Sequence, residues 1–135
     1  MNRNDLDSVG ALSEQLGYPV EMDDLRARFE NILKLAHHAL LVCGEMEVSG
    51  WIHLEAVSDL IEETKVEIKA LVVNENIRSK GVGSALVQAA KEWAKTYGSN
   101  TIYLSCNIIR DRAHAFYERE GFTKVKTSHF FELNI

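Results

Sequence analysis

Residues 66–86 read VEIKALVVNENIRSKGVGSAL, and this stretch decides the architecture. Val66, Ile68, Ala70 and Val72 alternate as a half-buried strand requires, and Leu71-Val72-Val73 closes the run fully apolar. Asn74-Glu75-Asn76 breaks it. Arg78-Ser79-Lys80-Gly81-Val82-Gly83 then leads into Val82, Leu86, Ala90, Trp93 and Tyr97, the stripe of an amphipathic helix that closes at Gly98. Two glycines at the mouth of a helix let backbone N–H groups approach an anion, and the helix N-terminus adds unsatisfied donors and partial positive charge. The stretch reads as a phosphate cradle, or more plainly as a tight strand-to-helix turn. Neither familiar nucleotide loop fits. No Gly-Lys-Ser/Thr ending is present, and Leu86 stands where a dinucleotide fingerprint needs its third glycine.

Working outward, 135 residues make one domain, 1–135, long enough to bury a real core. The composition, 46% hydrophobic and 26% charged with a single proline, is that of an ordinary soluble globular chain. A net charge of -5 argues against nucleic acid, whose phosphates need a basic face. Cys43 and Cys106 give neither a disulfide framework nor a metal spacing, and no metal-ligand set is expected. No signal peptide or membrane span is read, so the cytoplasm is the expected compartment.

Ahead of that stretch, Asp5 is expected to cap a helix lined by Leu6, Val9, Leu12 and Leu16 and ended by Gly17 and Pro19. Asp23 and Asp24 start a second helix, with Met22, Leu25, Phe29, Ile32 and Leu33 at helical spacing and His37-His38 at its end. Ala39–Cys43 and Gly50–Val57 form two strands around a hairpin turn at Gly44-Glu45-Met46-Glu47. Behind it, Thr101–Cys106 is a strand, Asp111 caps a helix through Glu120, and Gly121-Phe122 begins a pair of strands ending at Phe131 and Leu133. The class is mixed α/β (α+β) with a mainly antiparallel sheet and about four helices.

Two motifs carry a resemblance. Arg78-x-x-Gly81-x-Gly83 after an apolar strand looks like the acetyl-CoA signature of the GNAT N-acetyltransferases, and Ala113-His114-Ala115-Phe116-Tyr117 through Gly121-Phe122 resembles that family's Ala-x-x-Phe-Tyr-x-x-x-Gly-Phe segment. Together they span about Val66 to Phe122. Glu67-Ile68-Lys69-Ala70-Leu71-Val72-Val73, Ser105-Cys106-Asn107 and the tail Lys126–Phe131 are similar to small bacterial members related to aminoalkylphosphonate and aminoglycoside acetyltransferases. The resemblance implies the GNAT fold, whose members begin with a strand. Met1 to Asn4 is too short to hold it, so either the start lies late or the sheet lacks its first edge strand.

It also implies acetyl transfer from acetyl-CoA to a primary amine of a small molecule, by direct attack in a ternary complex. Glu67, eleven residues before Arg78, matches a general base acting through water, with Glu55 in reserve and a surface pair with Lys69 as the plainer reading. Its side chain is expected on the sheet face shared by Leu71 and Val73. The resemblance gives Leu71, Val72 and Val73 to the thioester and pantetheine arm. It gives Arg78, Ser79, Lys80, Gly81, Val82, Gly83 and Ser84 to the pyrophosphate. Tyr117 is the acid that protonates the departing sulfur, and as a core aromatic it has a purely structural reading too. Arg110 stands where many members place an asparagine, so the arm contact falls to Asn107. His53 faces acceptor or solvent, His114 is structural, and His129 lies near the C-terminus. Glu55, Asp59, Glu62 and Glu63 would suit a cationic acceptor; Arg110 or Arg112 would suit an anionic one. Competing expectations are a protein amine as acceptor, and a non-catalytic acyl-CoA sensor on the same fold. A homodimer would cover the sheet edge left by the missing strand.

Overall fold

Gly50 to Val57 alternates buried and half-buried residue by residue, as a strand with two unlike faces must. Ile52, Leu54 and Ala56 are buried on one face; Trp51, His53, Glu55 and Val57 lie on the other. This strand, β2 (Gly50–Val57), pairs antiparallel on one side with β1 (His38–Cys43) and on the other with β3 (Lys65–Val73). β3 pairs in parallel with β4 (Ile102–Tyr103), giving the order β1-β2-β3-β4. The computed structural model describes residues 1–77 and 80–135. Arg78 and Ser79, expected to hold pyrophosphate, lie outside the described residues.

Within residues 1–105, one of the two compact units into which the chain divides, helices cover both faces of the sheet. α3 (Val82–Thr96) buries Leu86, Val87, Ala90 and Ala94 on the face that carries Ile52, Leu54, Val66 and Ile68. α1 (Leu6–Gln15) and α2 (Met22–Leu33) cover part of the opposite face, burying Leu6, Val9, Leu12 and Phe29. Each such aliphatic or aromatic side chain contributes about 1.5–3 kcal/mol on burial.

Gly50 locks β2 to the start of α3. A Cβ there would lie 2.8 Å from Val82 Cγ1, 2.9 Å from the Val72 carbonyl oxygen and 3.2 Å from Leu86 Cδ1. The carbonyl belongs to the backbone of the paired strand β3 and cannot rotate away. Gly50→Ala is therefore expected to cost about 1–3 kcal/mol in overpacking, read as a lower urea midpoint with unchanged slope; an unchanged midpoint would show that α3 shifts freely.

Residues 106–135 form the second unit. Its helix, α4 (Asp111–Arg119), ends in a left-handed Gly121 at φ 96°. Phe122 N–H donates to the Tyr117 carbonyl at 2.9 Å and Gly121 N–H to that of Glu118 at 3.1 Å. The Tyr117 and Phe122 rings touch, 5.5 Å between centroids. Crossed bonds with an apolar contact across the helix end form a Schellman stop.

Several expectations change. Asp5 does not cap α1 by its side chain; its carboxylate accepts from Asn2 N–H at 2.7 Å and closes the short turn before the helix. Asp111 is the first helical residue, and Arg110 holds the cap position without a side-chain bond. α2 stops at Leu33, which is 55% exposed, so His37 and His38 are not at a helix end: His37 sits in a left-handed turn at φ 69° and His38 opens β1. Only Ile102 and Tyr103 of the Thr101–Cys106 run join a ladder. The two strands expected after Gly121 do not form, since residues 122–135 carry no ladder and a strand needs a partner edge.

Candidate functional site

β3 holds an extra residue, and its consequence is for backbone direction. Val66 N–H donates to Thr101 O, on the β4 side, while Asn74 N–H donates to Ser49 O, on the β2 side. In a regular strand, N–H groups an even number apart point the same way. Residues 66 and 74 point opposite ways, so one residue between them is out of step. The register locates it. Leu54 pairs with Ile68 and His53 with Ala70, leaving Lys69 as the bulge. Beyond it, Ala70 and Val72 turn their N–H groups to β2, and Leu71 and Val73 turn theirs to the β4 side. There β3 and β4 pair only as far as Glu67 and Tyr103 among the described residues. Two donors thus face a gap between strands.

The bulge also overturns the shared face expected for Glu67, Leu71 and Val73. Glu67 lies opposite Glu55, whereas Leu71 lies opposite Ile52 and Val73 opposite Gly50, on the α3 side. One added residue exchanges the faces. Val72, expected beside the pantetheine arm, has a buried side chain.

α3 begins beyond this gap. Gly81 precedes it at φ 81°, a left-handed conformation that glycine adopts without strain, and its carbonyl accepts the first helical bond from Ala85 at 3.0 Å. The N–H groups of Val82 and Gly83 precede the first bond of this 15-residue helix, so this end favours an anion. Lys80 is exposed beside it.

On the sheet face away from α3, a row of titratable side chains crosses all four strands. His38 Nδ1 and His53 Nε2 are 3.0 Å apart, and His38 Nε2 lies 3.7 Å from Glu55 Oε1. Lys69 Nζ donates to Glu55 Oε2 at 2.8 Å and stands 3.7 Å from Glu67 Oε2. Tyr103 O–H donates to Glu67 Oε2 at 3.4 Å. The hydrogen bond from Lys69 holds the Glu55 carboxyl below its ordinary range and raises the ammonium. Burial, then the neighbouring Glu67, raises Tyr103. A carboxylate held below its range accepts a proton less readily, which makes Glu55 a poor base. Asp59 accepts from Ile61 and Glu62 N–H groups, and Glu62 pairs with Lys65. Those acids serve their own loop.

Burial, reinforced by His38 and Lys69, pushes His53 down from 6.5 to about 4. The folded chain then binds this proton less readily than the unfolded chain between about pH 4 and 6.5. The stability it contributes is present above 6.5 and is lost as pH falls towards 4. Urea midpoints should fall on acidification through that window, and His53→Gln should flatten the slope; equal slopes would remove His53 as the cause. Beside His53, Leu6, Val9, Phe29, Leu40 and Trp51 line an apolar pocket of about 140 Å³. The indole N–H of Trp51 is buried and finds no partner among the described residues.

In the second unit, Asn107 Oδ1 accepts from Ile109 N–H at 3.1 Å, and its carbonyl oxygen lies 2.8 Å from His114 Nε2. These contacts build the turn into α4. His114 is accordingly structural. Tyr117 is fixed by the Schellman stop, between the rings of Phe116 and Phe122. Burial, helped by Cys106, pushes its phenol up to about 12. The sequence offered no sign of the His38–His53 contact, which the register of β1 on β2 creates.

A family model described as the Acetyltransferase (GNAT) family matches residues 9–122. The chain is 37% identical over 132 residues to the aminoalkylphosphonate N-acetyltransferase of Salmonella typhimurium, covering 93% of this chain and 82% of that one. Among solved structures it is similar to a transcriptional regulator from Bacillus halodurans C-125, with a TM-score of 0.87 at 24% identity over 98% of this chain and 96% of that one. The aminoglycoside acetyltransferase AAC(6')-Iy, in complex with a CoA bisubstrate analog, shares the fold equally: TM-score 0.87, 20% identity, 100% and 95% covered.

Proposed function

The chain belongs to the GNAT acetyltransferase family and is an acetyl-CoA-dependent N-acetyltransferase, and we propose that its acceptor is the primary amine of a small molecule, attacked directly in a ternary complex. The observation that carries this reading is the bulge at Lys69, which turns two backbone donors into the gap between β3 and β4. The family match runs from residue 9 to 122, which supports reading 1–135 as one catalytic domain.

Acetyl-CoA supplies the activated acyl group as a thioester. The N-terminus of α3 would hold its pyrophosphate by backbone N–H groups, with Lys80 adding charge. Val73 N–H would take the pantetheine arm. Leu71 N–H would donate to the thioester oxygen, which gains charge during attack; one such donor is worth ~3 kcal/mol in studied acyl-transfer sites. An alkylamine with a pKa of ~10 is neutral in about one molecule per thousand at pH 7. Glu67, opposite Glu55 on the open sheet face, removes the amine proton through water. Tyr117 keeps its proton throughout the physiological range and donates it to the departing sulfur.

The Salmonella relative's name makes aminoalkylphosphonates the first acceptors to try. The pocket beside His53, near the ~150 Å³ at which an apolar cavity takes a benzene ring, makes small aryl- and alkylamines the second. Calorimetry with acetyl-CoA, followed by thiol release with these amines, aminoglycosides and polyamines, is expected to show binding and release with one class. Binding with no release from any of these amines would overturn the small-molecule acceptor. No binding would overturn the assignment of the α3 N-terminus.

A further inference from the structure

His38 and His53 meet across β1 and β2, with Nδ1 of the first 3.0 Å from Nε2 of the second. When both rings are neutral, one must donate and the other accept. Glu55 decides which. Its Oε1 lies 3.7 Å from His38 Nε2, and the hydrogen bond from Lys69 at 2.8 Å holds this carboxyl below its ordinary range, so it stays ionised. A bare ring nitrogen facing a carboxylate is repelled, whereas an N–H is attracted. His38 therefore carries its proton on Nε2 and offers Nδ1 as a lone pair, and His53 donates from Nε2. The nitrogen left over, His53 Nδ1, is a bare acceptor.

That nitrogen is free for a ligand. It bonds no described residue. Among the described residues the buried side-chain polar atom without a partner is Trp51 Nε1, so His53 Nδ1 reaches the surface. His53 also lines the apolar pocket against α1 and α2. On the same sheet face Glu67 is its diagonal neighbour, paired with Glu55 two residues further along β2. Diagonal neighbours stand about 7–8 Å apart, a span that one amine and one water can fill.

We infer that His53 Nδ1 accepts a hydrogen bond from the acceptor's amino group, and that Glu55 and His38 are positioning residues that hold His53 in the tautomer able to do so. This rests on the amine acceptor proposed above and adds how that amine is held. Once the base has taken a proton, the amine keeps two N–H bonds, and giving one to His53 fixes the direction of its lone pair. A bare nitrogen beside an apolar wall also repels an anion. An aminoalkylphosphonate would therefore lie with its amine towards His53 and its phosphonate away. The charge that makes Glu55 a poor base suits it to this task. Burial pushes His53 down to about 4, which keeps the ring neutral at pH 8.

Two-bond proton–nitrogen NMR on the isotope-labelled chain at pH 8 reads the tautomers directly. Both histidines are expected to carry Nε2–H with Nδ1 bare. Benzylamine or 2-aminoethylphosphonate, added with coenzyme A so that no acetyl moves, should shift the His53 Nδ1 signal. Benzyltrimethylammonium, with the same ring and charge but no N–H, should not. In Glu55→Gln the neutral amide offers donor and acceptor alike, so both tautomers should appear. KM for the amine should then rise about tenfold, the scale of one hydrogen bond, with KM for acetyl-CoA as in the parent. Circular dichroism checks that the variant folds. A parent His53 with its proton on Nδ1 overturns the inference, and so does a Glu55→Gln chain that keeps the parent tautomers. Equal shifts from benzylamine and benzyltrimethylammonium, or none from either primary amine, overturn it too. Thiol release tells the two failures apart: release with an amine leaves the small-molecule acceptor standing, and no release removes it as well.

Discussion

Glu67→Gln is expected to lower kcat about 10²–10³-fold at pH 7, with the affinity for acetyl-CoA unchanged, in the range of lost general-base catalysis. The substitution keeps the shape of the side chain and its contact with Tyr103, 3.4 Å away. It removes the proton acceptor and one negative neighbour of Lys69. The pH dependence separates the base from a merely structural acid. As pH rises towards ~10 the amine deprotonates in solution, so the deficit should shrink steadily with each unit. A deficit constant from pH 7 to 9.5 would point to lost positioning. A loss under fivefold at pH 7 would remove Glu67 from the chemistry. Glu55→Gln makes the comparison sharp: tied to Lys69 at 2.8 Å, Glu55 should matter far less.

Tyr117→Phe is expected to cost about 10²-fold in kcat. The deletion is confined to one hydroxyl, since phenylalanine retains the ring contacts with Phe116 and Phe122 and the backbone bonds of the Schellman stop. The melting temperature should move little. The loss should be smaller than for Glu67, because a thiolate leaves tolerably well unprotonated while an ammonium cannot attack at all. With the phenol pushed up to about 12, the parent should keep its activity to pH 10 with no fall from ionisation of this group. Its stability follows the same sign: the folded chain holds the Tyr117 proton beyond the pH where the unfolded chain loses it, so that contribution fades between about 10 and 12. An alkaline fall in kcat centred below pH 9 would contradict the role.

Much of the first unit was legible because its signals are local. The alternation from Gly50 to Val57 and the spacing of Leu86 and Ala90 each encode one element and its buried face. The bulge was not legible. Lys69 becomes the extra residue only when β2 pairs with β3, so counting by twos along β3 assigned Leu71 and Val73 to the wrong face. The same limit hid the His38–His53 contact, two residues 15 apart joined by a hairpin register. Asp5 failed as a cap for another reason: an aspartate near a helix start has more than one local donor within reach, and Asp5 takes Asn2 N–H; Asp111 falls one residue inside its helix. The tail shows the reverse case. Its alternation reads as strand, but residues 123–135 join no ladder among the described residues.

The extra residue in β3 makes the donors of this site a matter of phase. Side chains at Leu71 and Val73 can be exchanged for others without redirecting an N–H, since no side chain supplies the bond. Drawing Lys69 into the ladder without removing a residue would slip the register by one, reverse the direction of every later amide in the strand and turn both donors into ordinary sheet bonds to β2. Variation along β3 is therefore expected to be free in kind and fixed in register: a chain of this design tolerates many spellings of the strand and only one pairing with β2.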